Sequence, residues 1–104
     1  MTPRFVFRPA ARTELMEARE WYEAHRAGLG HEFASSIDVT ITQIAEHPGL
    51  YPEIWPGLRR AVLLDFPYGV FYRVKPRSIE IVAVFHHRRD PRVWQARVNS
   101  RVDG

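Results

Sequence analysis

At 104 residues the chain is long enough for one hydrophobic core and too short for two, and a composition 45% hydrophobic and 26% charged gives disorder no support. The absence of cysteine excludes a disulfide framework, a thiolate nucleophile and any zinc site built on sulfur. The net charge of +3 hides an asymmetry: Met1 to Trp55 carries five arginines against eight acids, a net of −3, whereas Pro56 to Gly104 carries ten lysines or arginines against four acids, a net of +6. A basic second half on a compact domain points to an acidic partner, nucleic acid or an acidic protein surface; the plainer reading is a solvated surface.

In chain order, the N-terminal segment lacks the basic, apolar and small-residue pattern of a secretory signal, and no apolar run approaches the roughly 20 residues that span a bilayer, so a soluble cytoplasmic protein is expected. Arg4 to Arg8 alternates basic and apolar residues and is closed by Pro9, which predicts a short strand. From Ala10 to Arg26, Ala11, Leu15, Ala18 and Tyr22 recur at helical spacing, with Trp21 beside them and Glu14, Glu17, Glu20 and Glu23 as the acidic face. Gly28 and Gly30 interrupt the pattern; Phe33, Ile37, Ile41 and Ile44 resume it until Pro48 and Gly49. Two amphipathic helices joined so closely predict an antiparallel hairpin that covers one side of a sheet and leaves the other side free.

Pro48 to Gly57, with three prolines and two glycines, reads as an irregular connection. Leu58–Asp65, Tyr68–Lys75 and Ser78–His86 are β-rich runs separated by Pro67 and Pro76, a three-strand meander. In the last, strict alternation sets Ile79, Ile81, Ala83 and Phe85 against Glu80, Val82, Val84 and His86; both sets are largely apolar, so this strand is expected to be central. In Asp90 to Arg97 a potential cap precedes a proline, which predicts a short helix, with fraying beyond Val98. The chain thus reads as one α+β domain over residues 1–104, ordered β-α-α-β-β-β with a short C-terminal helix, its helical hairpin on one face of a mainly antiparallel sheet.

The densest stretch for chemistry is Phe85 to Pro91, where a central strand ends in two imidazoles and two guanidiniums. Arginine suits oxyanions because its planar fork donates parallel hydrogen bonds, and histidine moves protons near neutral pH. Arg60, Arg73 and Lys75 on neighbouring runs are candidates to converge with His86, His87, Arg88 and Arg89. Arg59 and Arg60 point to opposite faces; Arg60, in phase with Val62 and Leu64, is the one assigned to this surface. The plainer reading pairs Arg88 and Arg89 with Asp90 or with the acidic helix faces. Tyr68, Phe71, Tyr72 and Trp94 have the rings to stack on bases, but aromatics at strand spacing more often build the core. His25, His31, His47, His86 and His87 show no zinc spacing, and no phosphate loop, dinucleotide fingerprint or serine-nucleophile motif is present, so neither metal nor cofactor is expected.

The ordered set EAREWYE, AEHPGLYPEI, GLRRAVL, PYGVFYRV, IEIVAVFHHRRDP and a final tryptophan spans nearly the whole chain and resembles the RelE/ParE toxins, also called plasmid stabilisation proteins. The resemblance implies a helical hairpin on a sheet, action inside the cell, and an antitoxin partner in a hetero-oligomer. RelE-like members cut messenger RNA on the ribosome; in that case Arg60 and Arg73 would hold phosphate, with His86 or His87 exchanging protons, helped by Arg88. ParE-like members poison DNA gyrase by binding. The chain departs from the lysine-rich, tyrosine-ended RelE site, since Lys75 is its single lysine and no tyrosine follows Tyr72; Glu53, Arg73 and His87 imitate the carboxylate, arginine and histidine of other nucleolytic relatives. The GLRR and HHRRDP segments look closer to the ParE branch. The expectation is therefore gyrase inhibition with Arg60, His86, Arg88 and Arg89 at the target surface. The alternatives are a ribosome-dependent nuclease with Arg73 and His87 as catalytic residues, or a non-toxic domain that binds only an antitoxin or itself.

Overall fold

The computed structural model describes residues 4–99. In chain order it contains β1 (Arg4–Phe7), α1 (Pro9–His25), α2 (Leu29–Glu46), β2 (Glu53–Trp55), β3 (Leu58–Val62), β4 (Tyr68–Val74), β5 (Ser78–His86) and α3 (Arg92–Asn99). The sheet order is β1-β5-β4-β3-β2, with β1 parallel to β5 and every other pair antiparallel. The expected α+β arrangement is therefore present. Fraying expected beyond Val98 concerns mainly residues 100–104, which lie outside the described residues; Asn99 is still helical.

Pro9 ends β1 by opening α1 as its first helical residue, where the missing N–H costs nothing and the preceding Arg8 is extended. The turn into α2 is built by Gly28, whose φ of 90° is easily reached only without a side chain. The carboxylate of Glu23 then accepts hydrogen bonds from the N–H groups of Gly28 (3.0 Å) and Gly30 (3.0 Å), so an α1 acid caps the N-terminus of α2 and its pKa falls below the ordinary carboxylate value. Gly30 is not an interruption but part of the first turn of α2. A Cβ there would sit 2.8 Å from the Arg19 carbonyl oxygen, and this close approach lets the two helices pack.

The irregular connection contains one strand the periodicity did not predict. β2 pairs with β3 through Glu53↔Arg59 and Trp55↔Leu58, with Pro52 and Pro56 bounding it and Gly57 (φ 75°) turning the chain back. Three residues between prolines are too few to carry a period, so only the pairing reveals them.

Strict alternation along β5 is broken by a β-bulge. Phe71 pairs with Ala83 but Tyr72 pairs with Ile81, which leaves Val82 as an extra residue. Ile79, Ile81 and Val84 consequently join the core beneath the helical hairpin with Phe33, Ile37, Ile44, Val70 and Tyr72. Val82, Ala83 and Phe85 join a second cluster on the opposite face with Leu58, Phe71 and Trp94. That second cluster also corrects the expectation of a free face: α3 lies over part of it, with Trp94 packed at 5.2 Å from Phe71 and 5.8 Å from Trp55. A side chain of this size, buried to 7% exposure, is the main apolar anchor of α3.

Candidate functional site

The basic segment follows the C-terminal end of β5. His86 is opposite Tyr68 on β4, the His87 N–H donates to the Pro67 carbonyl oxygen (2.9 Å), and the Arg89 N–H donates to the His86 carbonyl oxygen (3.1 Å), which turns the chain out of the sheet. Asp90 Oδ1 then accepts from the Arg92 N–H (2.9 Å), so the predicted cap opens α3. His86 packs edge-on to Tyr68 at 5.0 Å, and its Nδ1 accepts from the Arg88 N–H (3.0 Å). Arg88 is exposed.

Arg60, His86, His87 and Arg89 border one cavity of about 380 Å³ at the end of β5, completed by Val62, Phe71, Phe85, Pro91 and Trp94. Arg60 approaches it from the face opposite the hairpin, while His86, packed on Tyr68, and Arg89, paired with Glu14, also line the groove beside α1. The bulge shapes this wall by turning Phe85 onto the same face as Phe71. Arg59 points the other way, and its Nη1 donates to the carbonyl oxygens of Tyr51 (2.6 Å) and Gly49 (3.2 Å), which ties down the connection. His87 has its pKa held below the ordinary imidazole value, first by loss of solvent and then by Arg60 and His86, so its neutral form is favoured.

Arg73 is not part of this cavity. It pairs with Glu80 at the other end of the sheet, where its Nη1 is 3.8 Å from Glu80 and its Nη2 donates to the Val98 carbonyl oxygen (3.3 Å). It lies five residue steps along β4 from Tyr68, the partner of His86, which at strand rise is about 16 Å. Lys75, 3.8 Å from Glu80, belongs to the same distant cluster. Glu53 is exposed on the short strand β2, at the sheet edge remote from β5. The set Glu53, Arg73 and His87 is therefore dispersed.

One carboxylate that sequence reasoning assigned to an acidic helix face organises the site. Glu14, assigned to an acidic helix face, is only 8% exposed. It accepts from the Val84 N–H (3.1 Å), from Arg89 Nη1 (2.7 Å) and from both terminal nitrogens of Arg97 (3.0 and 2.7 Å). β1 stops pairing at Ile81, so the edge of β5 beyond it would otherwise be bare; Glu14 takes the Val84 N–H, and Arg97 donates to the Val82 carbonyl oxygen (3.3 Å). One acid thus joins α1, β5, the basic turn and α3, and the pairing of Arg89 with a helix acid is realised. The signal was legible: position 14 lies in helical phase with Ala11 and Ala18, on the buried stripe. Glu80 is the second buried acid, with Arg8 at 3.1 Å. The ring residues are structural: Tyr72 donates its hydroxyl to the Pro48 carbonyl oxygen (2.7 Å) with its pKa pushed up to about 12 by burial, and Phe71 and Trp94 fill the second core.

The resulting arrangement is a basic, aromatic-walled pocket beside a rigid ion cluster. Residues 5–91 match the family described as the ParE toxin of type II toxin-antitoxin systems, parDE. Toxin ParE2 of Mycobacterium tuberculosis, in two strains, is 26% identical over 102 residues, covering 97% of this chain and 97% of the relative. A chain of the chromosomal ParDE toxin-antitoxin system from P. aeruginosa superposes with a TM-score of 0.61 at 16% identity, covering 82% of this chain and 96% of that one, a likeness of fold. The match across nearly the whole core, from the first strand to the proline just before α3, makes this chain a member of the ParE toxin family of type II toxin-antitoxin systems.

Proposed function

We propose that this chain acts in the bacterial cytoplasm as a toxin that inhibits DNA gyrase by binding it, and that a cognate antitoxin neutralises it in a hetero-oligomer. Family membership supports the toxin role. The observation that carries binding over RNA cleavage is the position of Arg73, about 16 Å along β4 from Tyr68, the partner of His86 at the end of the sheet that leads to His87, with Arg73 already engaged by Glu80 and the Val98 carbonyl. Cleavage of a ribose-phosphate backbone needs its acid, base and oxyanion-stabilising groups around one phosphate. A binding surface needs no such convergence, only basic groups gathered at one end of the sheet, as exposed Arg88 and Arg89 and half-buried Arg60 and His86 are. Among the described residues no helix is long and apolar enough to cross a membrane.

One observation favours the nuclease reading: His87 is biased to its neutral form beside Arg60, a pairing able to take a proton next to a phosphate. Inducible expression in a bacterial host separates the readings. Gyrase inhibition predicts growth arrest with trapped gyrase–DNA breaks and intact messenger RNA, and Arg60→Gln combined with Arg88→Gln should relieve the arrest. Cleaved messenger RNA, lost in His87→Ala, would replace this reading with the nuclease. Unaffected growth across susceptible hosts, with the protein folded and expressed, would leave a non-toxic antitoxin-binding domain.

A further inference from the structure

A partly buried guanidinium that meets no anion is costly to keep, because desolvation of the charge is not repaid. Arg60 is in this position: its Nε is buried and has no hydrogen-bond partner, and no acceptor among the described residues bonds the rest of its guanidinium. Its neighbours differ. Arg89 has Glu14, Arg97 has Glu14, Arg59 has two carbonyl oxygens and Arg92 has Asp90. Arg60 is also held in place, since its Cγ and Cδ lie over Gly69, where an added Cβ would come within 3.1 Å of both. The site is therefore an ordered cation whose counter-ion is not supplied by the described fold.

The surroundings indicate what would carry that counter-ion. Val62, 52% exposed, borders both the Arg60 cavity and a larger groove of about 870 Å³ between α2 and the end of β3, lined by Val39, Thr40, Leu63, Leu64 and Phe66. Val39 and Leu64 are exposed to 58% and 92%. Beyond Arg60, whose N–H donates to the Pro52 carbonyl oxygen, the outer edge of β3 is unpaired among the described residues. An unpaired edge bearing apolar side chains accepts an extended chain.

We propose that the Arg60 cavity receives one acidic side chain of a partner protein, carried on an extended apolar segment that crosses Val62 into the α2–β3 groove. The proposal rests on the reading that the chain works by binding, and it specifies the chemistry of what is bound. A nucleic-acid strand fits less well: it would bring a run of phosphates to a wall where Arg89 is already neutralised, and it would leave the apolar groove unfilled. A carboxylate matches one guanidinium fork, and the flanking apolar side chains match Val39, Val62 and Leu64.

The test uses the isotope-labelled full chain, with NMR of the Arg60 Nε–H and of the backbone amides. Four probes are titrated: an acetylated, amidated Leu-Val-Leu-Glu peptide, its Gln counterpart, inorganic phosphate and a short single-stranded oligonucleotide. The Glu peptide should bind about tenfold more tightly than the Gln peptide, as expected for a charge-assisted pair. Its shifts should map to Arg60, Val62, Leu64 and His87, and the preference should vanish in Arg60→Gln. Val62→Asp, a change at an exposed position that leaves folding intact, should abolish binding of the Glu peptide. Equal binding of the two peptides overturns the proposal, as does unchanged affinity in Val62→Asp. Binding of phosphate or the oligonucleotide to Arg60 at least as tightly as the Glu peptide also overturns it, in favour of a nucleic-acid site. A missing growth phenotype would remove the toxin reading without altering these peptide affinities, so the two claims fail separately.

Discussion

The two ends of β5 are held by buried carboxylates of different quality. At the end that leads into the basic turn, Glu14 has both oxygens in hydrogen bonds of 2.7–3.1 Å, from Val84, Arg89 and Arg97. At the other end, Glu80 has one hydrogen bond, from Arg8 at 3.1 Å, while Arg73 and Lys75 stand off at 3.8 Å and its Oε1 has no hydrogen-bond partner. Coulomb attraction persists at either distance, but only close geometry repays desolvation of a buried acid. Glu14 is accordingly a joint between elements, and Glu80 a looser stitch between β1, β4 and β5. The joint lies beside the proposed partner surface, where it takes up the charge of Arg89 and leaves that of Arg60.

The comparison breaks most sharply at Glu14. Glu14→Ala leaves Arg97 without its anion and the Val84 N–H without its acceptor, and should cost about 3–5 kcal/mol of unfolding free energy in a urea titration. Hydrogen exchange should rise first in α3 and around Val84. A loss below about 1 kcal/mol would mean that Arg97 finds water as good a partner, and that Glu14 is no joint.

The next effect appears in alkali. Tyr72 ties β4 to the Pro48 connection, and burial pushes its folded pKa up to about 12, above the ordinary tyrosine value of about 10. A group whose folded pKa is raised gives stability that is complete below the unfolded pKa and is lost as pH rises through the folded one. The affected window is therefore pH 10 to 12, with an order of about 2 kcal/mol at stake. Urea midpoints at pH 8 and pH 11 should fall further in the native protein than in Tyr72→Phe. An equal fall in both would assign the alkaline loss to other tyrosines.

At the loose end, Glu80→Gln should cost only about 1–2 kcal/mol, because one hydrogen bond and two longer contacts are replaced by an amide that still accepts from Arg8. A cost equal to that of Glu14→Ala would erase the distinction between joint and stitch.

Most of the fold was legible because helical and strand periods are written by side chains that face one core. The alternation in Arg4 to Arg8, the stripe through Ala11, Ala18 and Tyr22, and the cap at Asp90 each follow from local chemistry. The parity of β5 was not legible, since Val82, Ala83 and Val84 are all apolar and the bulge is set by pairing with Phe71 and Tyr72. The cover over the second face hung on Trp94, whose partners Phe71 and Trp55 are distant in sequence. For the site, Arg60 was separable from Arg59 by strand parity. The isolation of Arg73 was not, because which end of a strand holds a buried acid is a tertiary fact. Glu14 was readable in phase but was masked by the three other acids on its helix.

The smallest expected effect is the most diagnostic. Asp90 caps α3 through the Arg92 N–H and pairs with the Arg92 side chain, and this exposed ion pair lowers its pKa. Asp90→Ala should loosen the start of α3, seen as faster exchange at Arg92 and Val93, with a smaller shift in urea midpoint than Glu80→Gln. The informative measurement is the same change made with Glu14→Ala. If Glu14 holds the C-terminal half of α3 through Arg97, the helix is already undocked in that background and Asp90→Ala has little left to remove, so the two effects fall short of additive. Strict additivity would mean that the cap and the joint act on independent parts of the chain, and that α3 is fastened by Trp94 alone.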